Sequence, residues 1–149
     1  MGEDRAKRRR PEAADARRDE CLSRDQRLAR SAEFRAVTSA GARGVSPYLV
    51  AIRPTAVTGV APPRLGVVAS RKIGGAVQRS RAKRLLRELY RRGERPAGDL
   101  VLIARHGIQE ASWPDLEHAY RTATVRATAR GRHRRGHGRQ DPESSGRQA

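Results

Sequence analysis

Arg79, Ser80 and Arg81 stand in the chain's densest run of positive charge, "SRKIGGAVQRSRAKRLLRELYRR", Ser70 to Arg92, where nine basic residues meet a single acid, Glu88. Guanidinium and ammonium groups at this density match phosphate oxygens: arginine binds them bidentately, and each neutralised phosphate releases counterions. Two glycines, Gly74 and Gly75, lead into the basic stretch. Such a pair serves a turn that needs positive φ or, beside Arg71, Lys72, Arg79 and Arg81, presents backbone amides as further phosphate contacts. No comparable set of residues points to hydrolysis. Phosphodiester cleavage by a protein calls for carboxylates gathered around a metal, or for a histidine acid/base pair. Here the acids are scattered, Asp115 and Glu117 suit the dipole of a helix start, and His106 and His118 have no evident partner. No catalytic residue and no metal-ligating set is assigned.

These side chains need elements to hold them. From Ala76 to Arg92 the pattern is helical rather than alternating. At 100° per residue, Ala82, Leu85, Leu86 and Leu89 share a core face, while Arg79, Lys83, Arg87 and Arg91, with Arg84, form a cationic ridge opposite. Like charges four apart cost a few tenths of a kcal/mol per pair, roughly, so the ridge reads as an interface whose counter-charge another molecule supplies. Upstream, "SAEFRAVTSAG" predicts a short helix capped by Ser31, with Phe34 and Val37 on one face and Gly41 at its end. "YLVAIR" and "RLGVVAS" predict strands, paired as a hairpin across the long loop "PTAVTGVAPP". "DLVLIAR" is a continuous apolar run of strand length, and "SWPDLEHAYRTATVRATA" opens a last helix with Ser112 as N-cap, Pro114 in the first turn and Asp115 three residues after the cap. The order predicts an α+β domain, helices packed on a small mixed sheet.

Composition sets the partner class. Thirty-three basic residues against 16 acidic give the 149-residue chain a formal charge of +17. With a pI near 11.6, this favours a polyanion, nucleic acid before an acidic membrane surface. Neither a helix-turn-helix partner for the basic helix nor dimerisation heptads are visible, which disfavours DNA. Low aromatic content (3%) and a mean hydropathy of −0.81 leave too little apolar surface for the whole chain to fold. The expected division is a charged disordered tail, 1–23, a folded domain, 24–128, and a basic disordered tail, 129–149. Cys21 alone permits neither an internal disulfide nor a cysteine cluster, no apolar stretch approaches membrane-spanning length, and the N-terminus lacks a secretory apolar region. A soluble cytoplasmic protein without a membrane partner is expected.

At Ser70 to Glu88 the chain resembles the protein component of bacterial ribonuclease P. That family carries a signature S-K-K-x-G-N-A-V-x-R-N-R-x-K-R-x-x-R-E, and "SRKIGGAVQRSRAKRLLRE" follows it without a gap. "SAEFRAV", "RLGVVAS", "DLVLIAR" and "SWPDLEHAY" are similar to its first helix, the strand before the signature, and its last strand and helix, so the likeness spans about Leu28 to Arg126. Three positions depart: Arg71 replaces a lysine, Gly75 an asparagine, and Ser80 the central asparagine of the Arg-Asn-Arg triplet. The hydroxyl of Ser80 keeps one hydrogen-bonding group and loses the second of the amide.

The resemblance implies a ribosomal-protein-like two-layer sandwich with a left-handed βαβ crossover, where a right-handed one is the general rule. It implies a protein subunit that binds the catalytic RNA and the 5′ leader of precursor tRNA, while the RNA subunit, with its bound Mg²⁺, removes the leader. The RNA-binding set carried over is Arg71, Lys72, Gly74, Gly75, Arg79, Ser80, Arg81, Lys83, Arg84 and Arg87, with one protein per RNA and no small-molecule substrate. Phe34 and Tyr48 would belong to a leader cleft between the sheet and the first helix, where an aromatic ring can stack on an unpaired base; an ordinary core position is the other reading of Phe34. Thr38 stands where the family often has a second aromatic. The alternative function is a structural RNA-binding protein, a ribosomal protein or RNA chaperone, without a role in cleavage.

Overall fold

The computed structural model describes residues 22–55 and 62–137. Cys21, most of both expected tails, and the middle of the 54–63 loop lie outside the described residues.

Four strands, β1 (Ala42–Val45), β2 (Leu49–Arg53), β3 (Arg64–Val68) and β4 (Asp99–Ala104), form one sheet in the order β1-β2-β4-β3. β1 and β2 are antiparallel, β2 and β4 antiparallel, and β3 and β4 parallel. The expected hairpin between β2 and β3 is therefore absent, because β4 lies between them. The reason is burial: Leu100, Val101 and Leu102 are fully buried on alternating sides, and a strand apolar on both faces takes a central place with a neighbour on each edge. The hairpin that does form joins β1 to β2 through buried Ser46, whose N–H and hydroxyl both donate to Leu49 O, at 3.0 and 2.8 Å.

Three helices cover the sheet: α1 (Ser31–Ala40), α2 (Ala76–Arg92) and α3 (Trp113–His137). On one face, Leu49, Ala51, Leu65, Leu100, Leu102 and Ala104 pack against Ala82, Leu86, Leu89 and Tyr90 of α2 and Leu116, Tyr120, Ala123 and Ala127 of α3. Each fully buried large apolar side chain here is worth about 1.5–3 kcal/mol. The opposite face carries a smaller cluster, Leu28, Val37, Ile52 and Val101, under α1, so α1 adds a partial layer on the far side of the sheet. α2 connects the parallel pair β3 and β4 as the crossover element.

Local signals hold with small shifts. Ser31 is the first helical residue of α1 rather than its cap, and Glu33 Oε2 accepts the Arg30 N–H at 3.3 Å. α3 starts as its sequence predicts: the Asp115 N–H donates to Ser112 Oγ, and the Ser112 hydroxyl donates to Asp115 Oδ2 at 2.6 Å. Both expected domain boundaries fall inside structured chain. Leu22 is buried in the main core, and α3 continues past 128 to His137, packed along β1 through Ala127 and the buried Gly131. Among the described residues no helix is long and apolar enough to cross a membrane.

Candidate RNA interface

β3 ends at Val68, and Arg71–Ile73 make a 3₁₀ turn that delivers the chain to α2. Gly74 follows at φ 140°, a conformation that side-chain-bearing residues avoid, which is the turn requirement read from the glycine pair. The amides expected to reach phosphate are otherwise engaged: Gly74 N–H donates to Arg71 O at 3.2 Å and Gly75 N–H to Gln78 Oε1 at 2.5 Å. Donors at this point come instead from the first turn of α2, which begins at Ala76 and has no intrahelical acceptors for its leading N–H groups. Gln109 Nε2 donates to Gln78 O at 2.9 Å and fixes the entry of α2 to the loop after β4.

Along α2 the predicted core face is present, with Tyr90 added to it. The ridge is turned from the position the helical wheel gave. Arg79, Lys83, Arg87 and Arg91 lie half-buried on the shoulder of the helix, whereas Ser80, Arg81 and Arg84 are exposed at its crest. Tyr90 follows Arg79, Lys83 and Arg87 on that side of the helix and is 1% exposed in the main core, so the core extends to the ridge side. Glu88 is consumed at the C-terminal end: Arg91 NH2 and Arg92 Nε both reach Glu88 Oε1 at 2.6 Å, and the Arg91 guanidinium chiefly holds that carboxyl below its ordinary range. Arg71, Lys72, Arg79, Arg81, Lys83, Arg84 and Arg87 pair with no carboxylate among the described residues, and Arg79 Nε is buried without a hydrogen-bond partner. The exposed Ser80 hydroxyl also makes no hydrogen bond among the described residues. Seven cations and a free hydroxyl thus share one turn and one helix.

The second predicted feature, a cleft at α1, has its floor in the sheet register. Val68, Ile103, Val50 and Val45 are successive cross-strand partners on β3, β4, β2 and β1. They form a row about 14 Å long from first strand to last. α1 covers the neighbouring row, Ile52 and Val101, and leaves this one open, its first three members half-buried and Val45 39% exposed. Phe34 sits at the border: its ring edge lies over Gly66, where an added Cβ would be 2.6 Å from the ring, and the ring is half-buried. Tyr48 does not join it. The Tyr48 ring packs on the main core beside Gly107. The Thr38 hydroxyl turns back onto Phe34 O at 2.7 Å.

Sequence reasoning missed the residue that fixes this cleft. Arg64 makes a two-pronged bond to Asp99, Nε to Oδ1 at 2.8 Å and NH2 to Oδ2 at 2.9 Å, and gives NH1 to Glu33 Oε1 at 2.8 Å. It ties α1 to β3 and β4, and the bond from Arg64 lowers the Glu33 pKa. Only the charge alternation near the strand ends could have hinted at it. Among the described residues no three His, Cys, Asp or Glu side chains lie together as a metal site would require.

A family model described as Ribonuclease P matches residues 22–128. The Ribonuclease P protein component of Kocuria rhizophila is 40% identical over 107 residues, covering 70% of this chain and 93% of that protein. That of Brevibacillus brevis is 38% identical over 111 residues, covering 70% and 87%. Among solved structures, the Staphylococcus aureus RNase P protein superposes with a TM-score of 0.58 at 22% identity, over 70% of this chain and 97% of that one, a likeness of fold. The RNase P protein from Thermotoga maritima superposes with a TM-score of 0.54 at 26% identity, over 69% and 96%.

Proposed function

The chain belongs to the ribonuclease P protein family, subunits of the ribonucleoprotein endonuclease that matures tRNA 5′ ends, and from that premise we propose that α2 and its leading turn bind the catalytic RNA while the open row beside α1 takes the precursor leader. The observation that carries this reading is the set of seven cations on Arg71 to Arg87 that no carboxylate among the described residues offsets. Such a surface gains free energy chiefly when phosphates replace its counterions, so its binding should fall steeply with salt. Ser80, exposed between Arg79 and Arg81, offers one hydrogen bond to the same RNA.

Val50, Val68 and Ile103 give an apolar floor, and the half-exposed Phe34 ring can stack on an unpaired base. A few such contacts, about 1 kcal/mol each, yield roughly a hundredfold preference for precursor over mature tRNA, because only the precursor has a leader. Tyr48, packed elsewhere, is proposed to act at the cleft's end rather than beside Phe34.

The family's chemistry depends on Mg²⁺, and this chain's described carboxylates do not make a site for it. Glu33 and Asp99 are held by Arg64, and Glu88 by Arg91 and Arg92. In this reading the metal is bound mainly by the RNA subunit. The protein's work is to lower repulsion between two polyanions and to position the leader.

The test is cleavage of a 5′-extended precursor tRNA at low Mg²⁺ by bacterial ribonuclease P RNA with the protein, by the RNA without it, and by the protein by itself. Cutting at the mature 5′ end by the pair, and by neither component separately, is expected. Tight binding to the RNA without cleavage would instead make this a structural RNA-binding protein.

A further inference from the structure

At the β1 edge of the sheet a groove of about 670 Å³ opens between the end of α1 and the far turns of α3, lined among others by Thr38, Ser39, Arg43, Ala129, Arg130 and His133 and, among the described residues, by no carboxylate. Arg130 and His133 lie beyond the family-matching region, which ends at 128. Two arginines hold α3 to this edge: Arg126 NH1 donates to Val45 O at 2.7 Å and Arg130 NH1 to Arg43 O at 3.1 Å. Four residues of helix rise about 6.0 Å and two residues of strand about 6.6 Å, so the pairs match in spacing. Each guanidinium has five N–H donors, which leaves several for a ligand. The Arg43 side chain is exposed and makes no hydrogen bond or ion pair among the described residues.

The location gives the groove a partner. The open row beside α1 begins at Val68, next to the basic turn at Arg71, and ends at Val45, whose carbonyl carries Arg126 and which stands two residues from Arg43. A single strand lying along the row with its reacting end toward α2, where the catalytic RNA is placed, passes over the β1 edge with its distal end. We propose that this groove is a second phosphate subsite, which holds backbone phosphates of leader nucleotides farther from the cleavage point than those in the cleft. The subsite rests on the reading that the cleft takes the leader. Its ligand is the phosphodiester backbone of single-stranded RNA, recognised by charge without regard to base sequence.

The experiment is an internal competition: precursors with leaders of about three and about ten nucleotides are cleaved in one tube by the reconstituted holoenzyme, and the ratio of their kcat/KM values is read directly. Wild-type protein should prefer the long leader by about three- to tenfold. In Arg43→Glu, and separately in Arg130→Gln, that ratio should fall to about one. Arg43→Glu removes no ion pair or side-chain hydrogen bond among the described residues, and an unchanged melting temperature in that variant separates the effect from misfolding. An unaltered ratio in Arg43→Glu, an equal loss for both lengths, or a wild-type ratio of about one would overturn the subsite. Failure of the wild-type holoenzyme to cleave either precursor would strike the function itself, and the subsite with it.

Discussion

Leu102 and Ile103 are neighbours on β4, yet they face different worlds. Leu102 is fully buried in the core that α2 and α3 build on one face of the sheet, whereas Ile103 lies half-buried in the open row on the other. The difference comes from helix length and placement. Helices of 17 and 25 residues cover the first face, and the ten-residue α1 covers only part of the second. One alternating strand thus supplies both a finished core and an unfinished apolar surface, and the unfinished side is the one available to a ligand.

Substitutions on the two faces should therefore separate stability from binding. The largest effect is expected for Leu102→Ala, which empties a closed core and should cost about 2–5 kcal/mol in thermal or urea unfolding. Ile103→Ala should cost the fold less, about 1 kcal/mol, because water already reaches its site, but it should lower the precursor-over-mature binding ratio several-fold. If the two variants destabilise equally and neither moves that ratio, the faces are not functionally distinct.

Phe34→Ala should cut precursor affinity by about tenfold while leaving mature tRNA binding within about twofold, measured by equilibrium binding to the holoenzyme. Equal losses would remove Phe34 from the leader contact and leave it as packing over Gly66. Arg81→Ala should leave the melting temperature unchanged and reduce the slope of log K against log salt for the catalytic RNA by about one.

The smallest effect concerns pH. Glu33 and Glu88 both titrate below their ordinary value of 4.5 in the folded protein, chiefly through bonds from Arg64 and Arg91. Carboxylates lowered in this way contribute stability that is present above pH 4.5 and lost as pH falls through their folded values. Melting temperature should decline below pH 4.5 in the wild-type protein and more gently in Glu33→Gln. Coincident profiles would show that the Arg64 bridge to α1 contributes nothing measurable.

Much of this was written in local patterns. The periodicity of α2, the caps of α3 and the apolar run of β4 each depend on residues close in sequence, and each appears where those residues predict it. Strand order was not local in this sense. β2 and β3 both read as good strands, but only the demand of β4 for cover on both faces places it between them. β1 escaped notice because "ARGV" is short, contains a glycine and alternates over only four residues; it is a strand through its pairing with β2 and through Gly44, which lets α3 approach so closely that an added Cβ would lie 1.8 Å from Ala123 O. The far end of α3 looked like a solvated basic tail, since its ordering depends on Arg126 and Arg130 meeting carbonyls more than 80 residues away in sequence. At the interface, the cation set was legible from composition and spacing. Tyr90, Arg64 and the Val68-to-Val45 row were not, because each takes its meaning from a partner supplied by another element.

The most direct measurement is the salt dependence of binding to the catalytic RNA, for the wild-type protein and for a variant carrying Arg71→Gln, Arg81→Gln and Arg84→Gln. These three side chains are exposed and form no ion pair among the described residues, so the fold should survive their loss. A slope shallower by about two to three, with affinity converging on the wild-type value at high salt, is the expected result. Parallel salt lines for the two proteins would contradict the assignment of α2 and its leading turn as the surface that meets the RNA.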